Sequence, residues 1–144
     1  MKPNGKTAIT VEATIKVPTE KVWNLWTAPE HIVEWNHASD DWHTPRAQND
    51  LRVDGTFLYR MESKDGNMGF DFDGVYTVVE TNRRIEYVIA DGRKVRIDFE
   101  GNGKETKIVE TFEAEGENSI EMQRNGWQAI LDNFKQYAES VAGN

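Results

Sequence analysis

The stretch Gly126-Trp127-Gln128-Ala129-Ile130-Leu131-Asp132-Asn133-Phe134, continuing to Val141, decides the fold. Trp127, Ile130, Leu131, Phe134, Ala138 and Val141 recur at steps of three and four residues. That spacing draws one apolar stripe along an amphipathic helix of about 20 residues. Asn118 and Glu121 have the spacing of a capping box at its start, and Gly143 is placed to stop it. Gly126, early in the helix, costs about 1 kcal/mol against alanine. It therefore reads as a point of close approach by a ligand or a strand.

A stripe this long needs a broad apolar partner, and the preceding chain supplies one. Ile9, Val11, Ala13 and Ile15 alternate with Thr10, Glu12, Thr14 and Lys16, predicting a strand over Ala8–Val17 with one wet face. Pro18 ends it, and Thr19 is placed to cap a short helix through Trp26. Ala28-Pro29 breaks that helix, and Pro29 opens a second one to Trp35. Asn36 to Asp50 reads as a long polar loop, of the kind that carries function or moves. Alternating strands follow, carrying Phe57, Tyr59 and Met61, then Phe70, Phe72 and Tyr76, then Ile85, Tyr87 and Ile89, then Val95, Ile97 and Phe99. The last runs over Thr106–Glu113. Asp65-Gly66 and Asp91-Gly92 mark tight hairpins, and Gly74 inside a strand suggests a bulge or bend. Strands joined by short turns pair antiparallel. The expectation is an α+β fold: a curved antiparallel sheet wrapped around the long C-terminal helix, with a hollow between them.

The chain has 144 residues, 38% of them hydrophobic and 29% charged, which suits a single domain over 1–144 with its own core. It has no cysteine, so disulfides, thiolate catalysis and cysteine zinc sites are excluded. Seventeen basic against 25 acidic residues leave a net charge of −8, which argues against nucleic acid as a partner. No apolar run approaches the roughly 20 residues that cross a bilayer, and Met1-Lys2-Pro3-Asn4-Gly5 lacks the apolar stretch of a secretory signal. The expectation is a cytoplasmic protein, a monomer or weak homodimer, with no cofactor.

There is no phosphate loop, no dinucleotide glycine fingerprint, no His-Glu-x-x-His and no Gly-x-Ser-x-Gly. His31, His37 and His43 lie six residues apart, a spacing that neither helix nor strand brings to one side, so no metal site is expected. Asp71 and Asp73 share a strand face, but Phe70 and Phe72 opposite look like the core side, which leaves the aspartates in water. Glu110 shares a face with Ile108 and Phe112. In one register its carboxyl enters the hollow, where it must be paired, protonated or functional; in the other, Val109 points in and Glu110 out. The aromatics are the strongest signal, with five Trp, four Tyr and six Phe. Trp35, Trp42, Phe57, Tyr59, Phe70, Phe72, Tyr76, Tyr87 and Trp127, with Ile130, are candidates to border the hollow, with His37 and Glu110 as its acid/base groups. An apolar pocket with a few polar groups is the usual form of a small-ligand site.

Four segments also resemble a known family. They are Val17-Pro18-Thr19-Glu20-Lys21-Val22-Trp23 through Trp35, Asp50-Leu51-Arg52-Val53-Asp54-Gly55-Thr56-Phe57, Gly69-Phe70-Asp71-Phe72-Asp73-Gly74-Val75-Tyr76, and Gly126 through Phe134. Together they look like the SRPBCC, or START-like, superfamily, close to the branch named for the activator of heat-shock protein 90 ATPase. The resemblance covers nearly the whole chain. It implies a helix-grip fold whose internal cavity takes a lipid, a polyketide, a flavonoid-like aromatic or another hydrophobic molecule. It also admits a polyketide cyclase-like enzyme, or a chaperone-interacting module.

Overall fold

The computed structural model describes residues 7–101 and 103–142. Met1–Gly5, Asn102 and Gly143, expected to stop the helix, lie outside the described residues. The elements run β1 (Ala8–Ile15), α1 (Thr19–Thr27), α2 (Pro29–Trp35), β2 (Trp42–Asn49), β3 (Thr56–Ser63), β4 (Gly69–Glu80), β5 (Arg84–Ile89), β6 (Lys94–Gly101), β7 (Thr106–Glu113) and α3 (Ile120–Ala142). The seven strands form one curled antiparallel sheet in the order β1-β7-β6-β5-β4-β3-β2. The α+β, helix-grip reading is correct: α3 lies on the concave face against β1, α1 and α2.

Hairpin chemistry sets the meander. Gly66 and Gly92 take positive φ, 79° and 89°, as tight Asp-Gly turns require. Gly74 serves a different purpose from the expected bend. A Cβ there would lie 2.6 Å from the Val88 carbonyl and 2.9 Å from the Phe57 ring, so the missing side chain lets Phe57 sink onto the sheet. The irregularity itself falls further on, between Tyr76 and Val78.

Several boundaries differ from the sequence reading. Residues 36–50 are not all loop, because Trp42–Asn49 forms the edge strand β2 and pairs only with β3. Its pairing is interrupted between His43 and Arg46, around Pro45. Proline is tolerated at such an edge irregularity, and the interruption erases the alternation that would have betrayed a strand. The first strand ends at Ile15 rather than Val17. Thr19 does not cap α1; its hydroxyl instead meets that of Thr106 at 3.1 Å, tying α1 to β7. The cap of α3 is Ser119, whose Oγ accepts from the Met122 amide at 3.0 Å, while Asn118 is turned back onto the Glu115 carboxylate.

The helix is held by rings. Phe134 is fully buried, with its centroid 4.8 Å from Trp26 and 4.9 Å from Trp35, edge-on to both. Trp26 and Trp35 themselves meet at 4.8 Å, and the Trp35 indole N–H donates to the Leu25 carbonyl at 2.9 Å. Leu131 and Ala138 complete the docked stripe. Val141, assigned to the stripe, is 45% exposed because the helix runs past the core there. Trp127 and Ile130 are only partly buried, since they face a cavity rather than packed side chains.

Two substitutions test this docking. Phe134→Ala should lower stability in urea unfolding by about 3–5 kcal/mol, the cost of an uncollapsed aromatic site; a loss under about 0.5 kcal/mol would mean that the helix is not held as described. Gly126 has no protein atom within 4 Å of where its Cβ would stand, so the expected close approach by a strand is absent. Gly126→Ala should therefore raise stability, by up to about 1 kcal/mol, and a loss would show that the position is sterically constrained.

Candidate functional site

Because α3 lies along β1 and against α1 and α2, it leaves a gap over β3, β4 and β5. That gap is a cavity of about 290 Å³. The sheet lines it with Tyr59, Met61, Phe70, Phe72, Tyr76, Ile85, Tyr87 and Glu110; α3 lines it with Gln123, Trp127 and Ile130. Trp26, Thr27, Trp35, Asn36, Asn49, Arg93, Glu115 and Asn118 complete the lining. Phe70 and Asn118, both in the lining, are exposed, so the cavity reaches the surface between the start of β4 and the start of α3.

The wall is an aromatic network. The Trp127 ring stacks on Phe112, 3.9 Å apart and 10° from parallel, and stands edge-on to Phe72 at 6.1 Å. Phe57 is buried behind the lining, its ring 4.7 Å from Tyr87, 5.0 Å from Tyr59, 5.3 Å from Tyr76 and 5.7 Å from Phe72. A polar thread runs through the rings. The Tyr76 hydroxyl donates to Asn49 Oδ1 at 2.5 Å, Asn49 Nδ2 donates to the Thr27 carbonyl at 2.7 Å, and the Tyr59 hydroxyl interacts with that of Tyr76. Burial raises Tyr76 to about 12 and pushes Tyr59 and Tyr87 well above the ordinary phenol range. All three are neutral hydroxyls at physiological pH.

Glu110 lies in the middle of β7, opposite Val11 on one side and Ile97 on the other. Thr106, Ile108, Glu110 and Phe112 are all buried, so the inward register is the one adopted. Glu110 is 6% exposed and lines the cavity. Ion pairs that use the sheet's cations, such as Arg60 with Asp71 and Arg84 with Asp98, gather elsewhere. Among the described residues no cation and no hydrogen-bond donor meets the Glu110 carboxyl, and desolvation raises its pKa from 4.5 to about 8. At neutral pH this is mainly a carboxylic acid, able to donate a hydrogen bond and close enough to neutrality to exchange its proton.

Of the residues singled out in the sequence, Trp35, Tyr59, Phe70, Phe72, Tyr76, Tyr87, Glu110, Trp127 and Ile130 line the cavity. Three do not. Phe57 is drawn below the lining by Gly74. Trp42 sits on the edge strand, 6.0 Å from Phe70, which takes the lining position. His37 is turned away: its Nε2 meets the Asn133 side-chain amide at 3.0 Å and its Nδ1 is buried without a partner. Burial, then Lys64, lowers its pKa. Its neighbour Asn36 lines the cavity instead. Phe70, expected on the core side, is 47% exposed because it stands at the mouth. Asp71 is exposed and pairs with Arg60 at 3.3 Å. His31 Nδ1 meets the Tyr137 hydroxyl at 2.7 Å, and His43 Nε2 lies 3.9 Å from Glu62. No three potential metal ligands gather among the described residues. The lining residues that sequence reasoning missed include Trp26, Asn36, Asn49, Met61 and Gln123. Gln123 falls one turn before Trp127 on the same helix face, so extending the stripe backwards would have found it.

The raised pKa of Glu110 has a consequence for stability. Between 4.5 and about 8 the folded chain keeps a proton that the unfolded chain has released. Stability must fall as pH rises through that window. In urea unfolding from about pH 5 to about pH 8, the natural protein should lose several kcal/mol relative to Glu110→Gln, at about 1.4 kcal/mol per unit. Parallel profiles for the two proteins would contradict the buried, unpartnered carboxyl.

Comparison with known proteins agrees with this architecture. The family model for Activator of Hsp90 ATPase homolog 1-like protein matches residues 16–139. The AHSA1-like protein from Aeromonas hydrophila, solved by solution NMR, superposes with a TM-score of 0.88 at 44% identity over 94% of each chain. Chr148 from Cytophaga hutchinsonii gives 0.80 at 54% identity, again over 94% of each chain. NE0264 from Nitrosomonas europaea, at 16% identity over 95% of this chain and 97% of its own, has a TM-score of 0.80 and shares the fold. No curated protein matches the sequence. No helix among the described residues is long and apolar enough to cross a membrane. With the helix-grip sheet, the aromatic cavity and a match over most of its length, the chain belongs to the family of Activator of Hsp90 ATPase homolog 1-like proteins.

Proposed function

We propose that the protein binds a small, largely apolar molecule in the cavity between sheet and helix. The observation that carries this reading is the cavity itself: space walled by Phe72, Tyr87, Trp127 and Ile130, with Glu110 as a buried polar group. A buried carboxyl without a partner in such a wall is costly to the fold unless something uses it. The cavity volume of about 290 Å³ lies at the small end of ligand sites, roughly 300–1,000 Å³. That favours a compact planar ring system, such as a flavonoid-like or polyketide aromatic, over a long acyl chain. A second reading, a polyketide cyclase-like enzyme, is favoured by Glu110 alone: a carboxyl with a pKa of about 8 is suited to proton transfer with a bound ligand.

A screen of flavonoids, chalcones and fatty acids tests the first reading by tryptophan fluorescence and melting temperature. A ligand that prefers the folded state stabilises it by about 2.7 kcal/mol at a hundred times its Kd. Planar aromatics should quench saturably and raise the melting temperature. Trp127→Leu should weaken binding about two- to thirteenfold, the loss of one stacking partner worth roughly 0.5–1.5 kcal/mol, and Asp71→Asn should leave it unchanged. If no compound of these classes shifts either signal, the cavity is not a binding site for them.

A further inference from the structure

The charges lining the cavity are Glu110, Glu115 and Arg93. Two of the three are already engaged. The Arg93 guanidinium donates to Asp91 Oδ2 at 2.8 Å and to the Glu113 carbonyl at 3.1 Å. The Glu115 carboxylate accepts from the Asn118 amide at 2.6 Å, the Asn118 side chain at 2.9 Å and the Glu117 amide at 3.1 Å. Glu110 is left, buried and, among the described residues, without a cation. The other titratable groups of the lining are Tyr59 on β3, Tyr76 on β4 and Tyr87 on β5, all held neutral by burial; α1, α2 and α3 contribute none. The cavity thus holds one unmatched acid among ring faces, in a chain of net charge −8.

Resting on the binding function proposed above, we infer that the cavity selects an aromatic cation: a protonated amine carried on a planar ring, with its ammonium at the Glu110 carboxylate and its ring among Phe72, Tyr87 and Trp127. Three physical terms act in the same direction. An ammonium supplies the counter-charge the buried carboxylate lacks. Ring faces attract a cation, most strongly where water is excluded. The negative field of the whole chain concentrates cations and repels anions. A ligand carboxylate finds no free cation in the lining as described, because the Arg93 guanidinium is already bonded, and it is opposed by the ring faces and the net charge; it gains at most a hydrogen bond from the protonated Glu110. On binding, the ammonium keeps its protons and the Glu110 carboxyl gives its own to solvent, so one proton is released per ligand at pH values below about 8.

Isothermal titration calorimetry with three probes of matched ring tests this: naphthylmethylammonium, naphthylmethanol and naphthoate. At neutral pH the ammonium should bind at least about tenfold tighter than the naphthoate. Repeating the titration in two buffers of different ionisation heat should count close to one proton released, and affinity for the ammonium should rise about tenfold per pH unit below the Glu110 transition. Glu110→Gln should abolish the proton release and the preference for the ammonium, while its retained affinity for naphthylmethanol shows that the cavity is intact. If naphthylmethanol binds but the ammonium is no tighter than naphthoate, or releases no proton, the inference is overturned and the binding function stands. If none of the three binds, the inference is overturned, and the screen of flavonoids, chalcones and fatty acids decides the binding function on its own.

Discussion

Everything in this structure depends on where α3 is pinned. Phe134 sits between Trp26 and Trp35, and Leu131 and Ala138 extend the same buried line. These contacts are made with α1, α2 and the β1 side of the sheet. A helix fixed to one side of a curled sheet cannot also fill the other side. The gap over β3, β4 and β5 is therefore a product of the packing that stabilises the fold, and removing it would require a different helix position. Aromatic side chains suit this arrangement, because a few rigid rings bury much area while leaving shaped space between them.

The same geometry explains the state of Glu110. The alternation of β7 makes its position inward, and the neighbours at that depth are Ile108, Phe112 and the tyrosine rings. Ion pairs involving Arg60, Arg84 and Arg96 are formed with Glu62, Asp71 and Asp98, away from the cavity. The carboxyl consequently resolves its burial by holding a proton rather than by finding a cation. Proton affinity, cavity shape and ligand charge are linked through this one residue, and the proposed binding function and the choice of an aromatic cation both follow from it.

Much of this was legible in the sequence, for identifiable reasons. The three- and four-residue stripe of α3, the hairpin glycines and the clean alternation of β1 and of the meander report directly on backbone geometry. β2 was illegible because Pro45 interrupts its pairing and its one neighbour is β3. The register of β7 was undecided because Val109 and Glu110 each made a plausible core face, and only the thread of the whole sheet separates them. Phe57 looked like a lining residue because nothing local reveals that Gly74, on the paired strand, lets its ring sink. His37 reads as an imidazole in a polar segment, yet its partner Asn133 is 96 residues away and no local pattern links the two.

Glu110 is a buried carboxyl that faces the cavity and meets no counter-charge among the described residues. The most direct measurement is its own titration, following the side-chain carboxyl carbon by NMR in the ligand-free protein, with Glu110→Gln identifying the signal. A midpoint near 8 is expected, against 4.5 for an unperturbed glutamate. A midpoint near 4.5 would place the carboxyl in water or beside a cation and would contradict that burial.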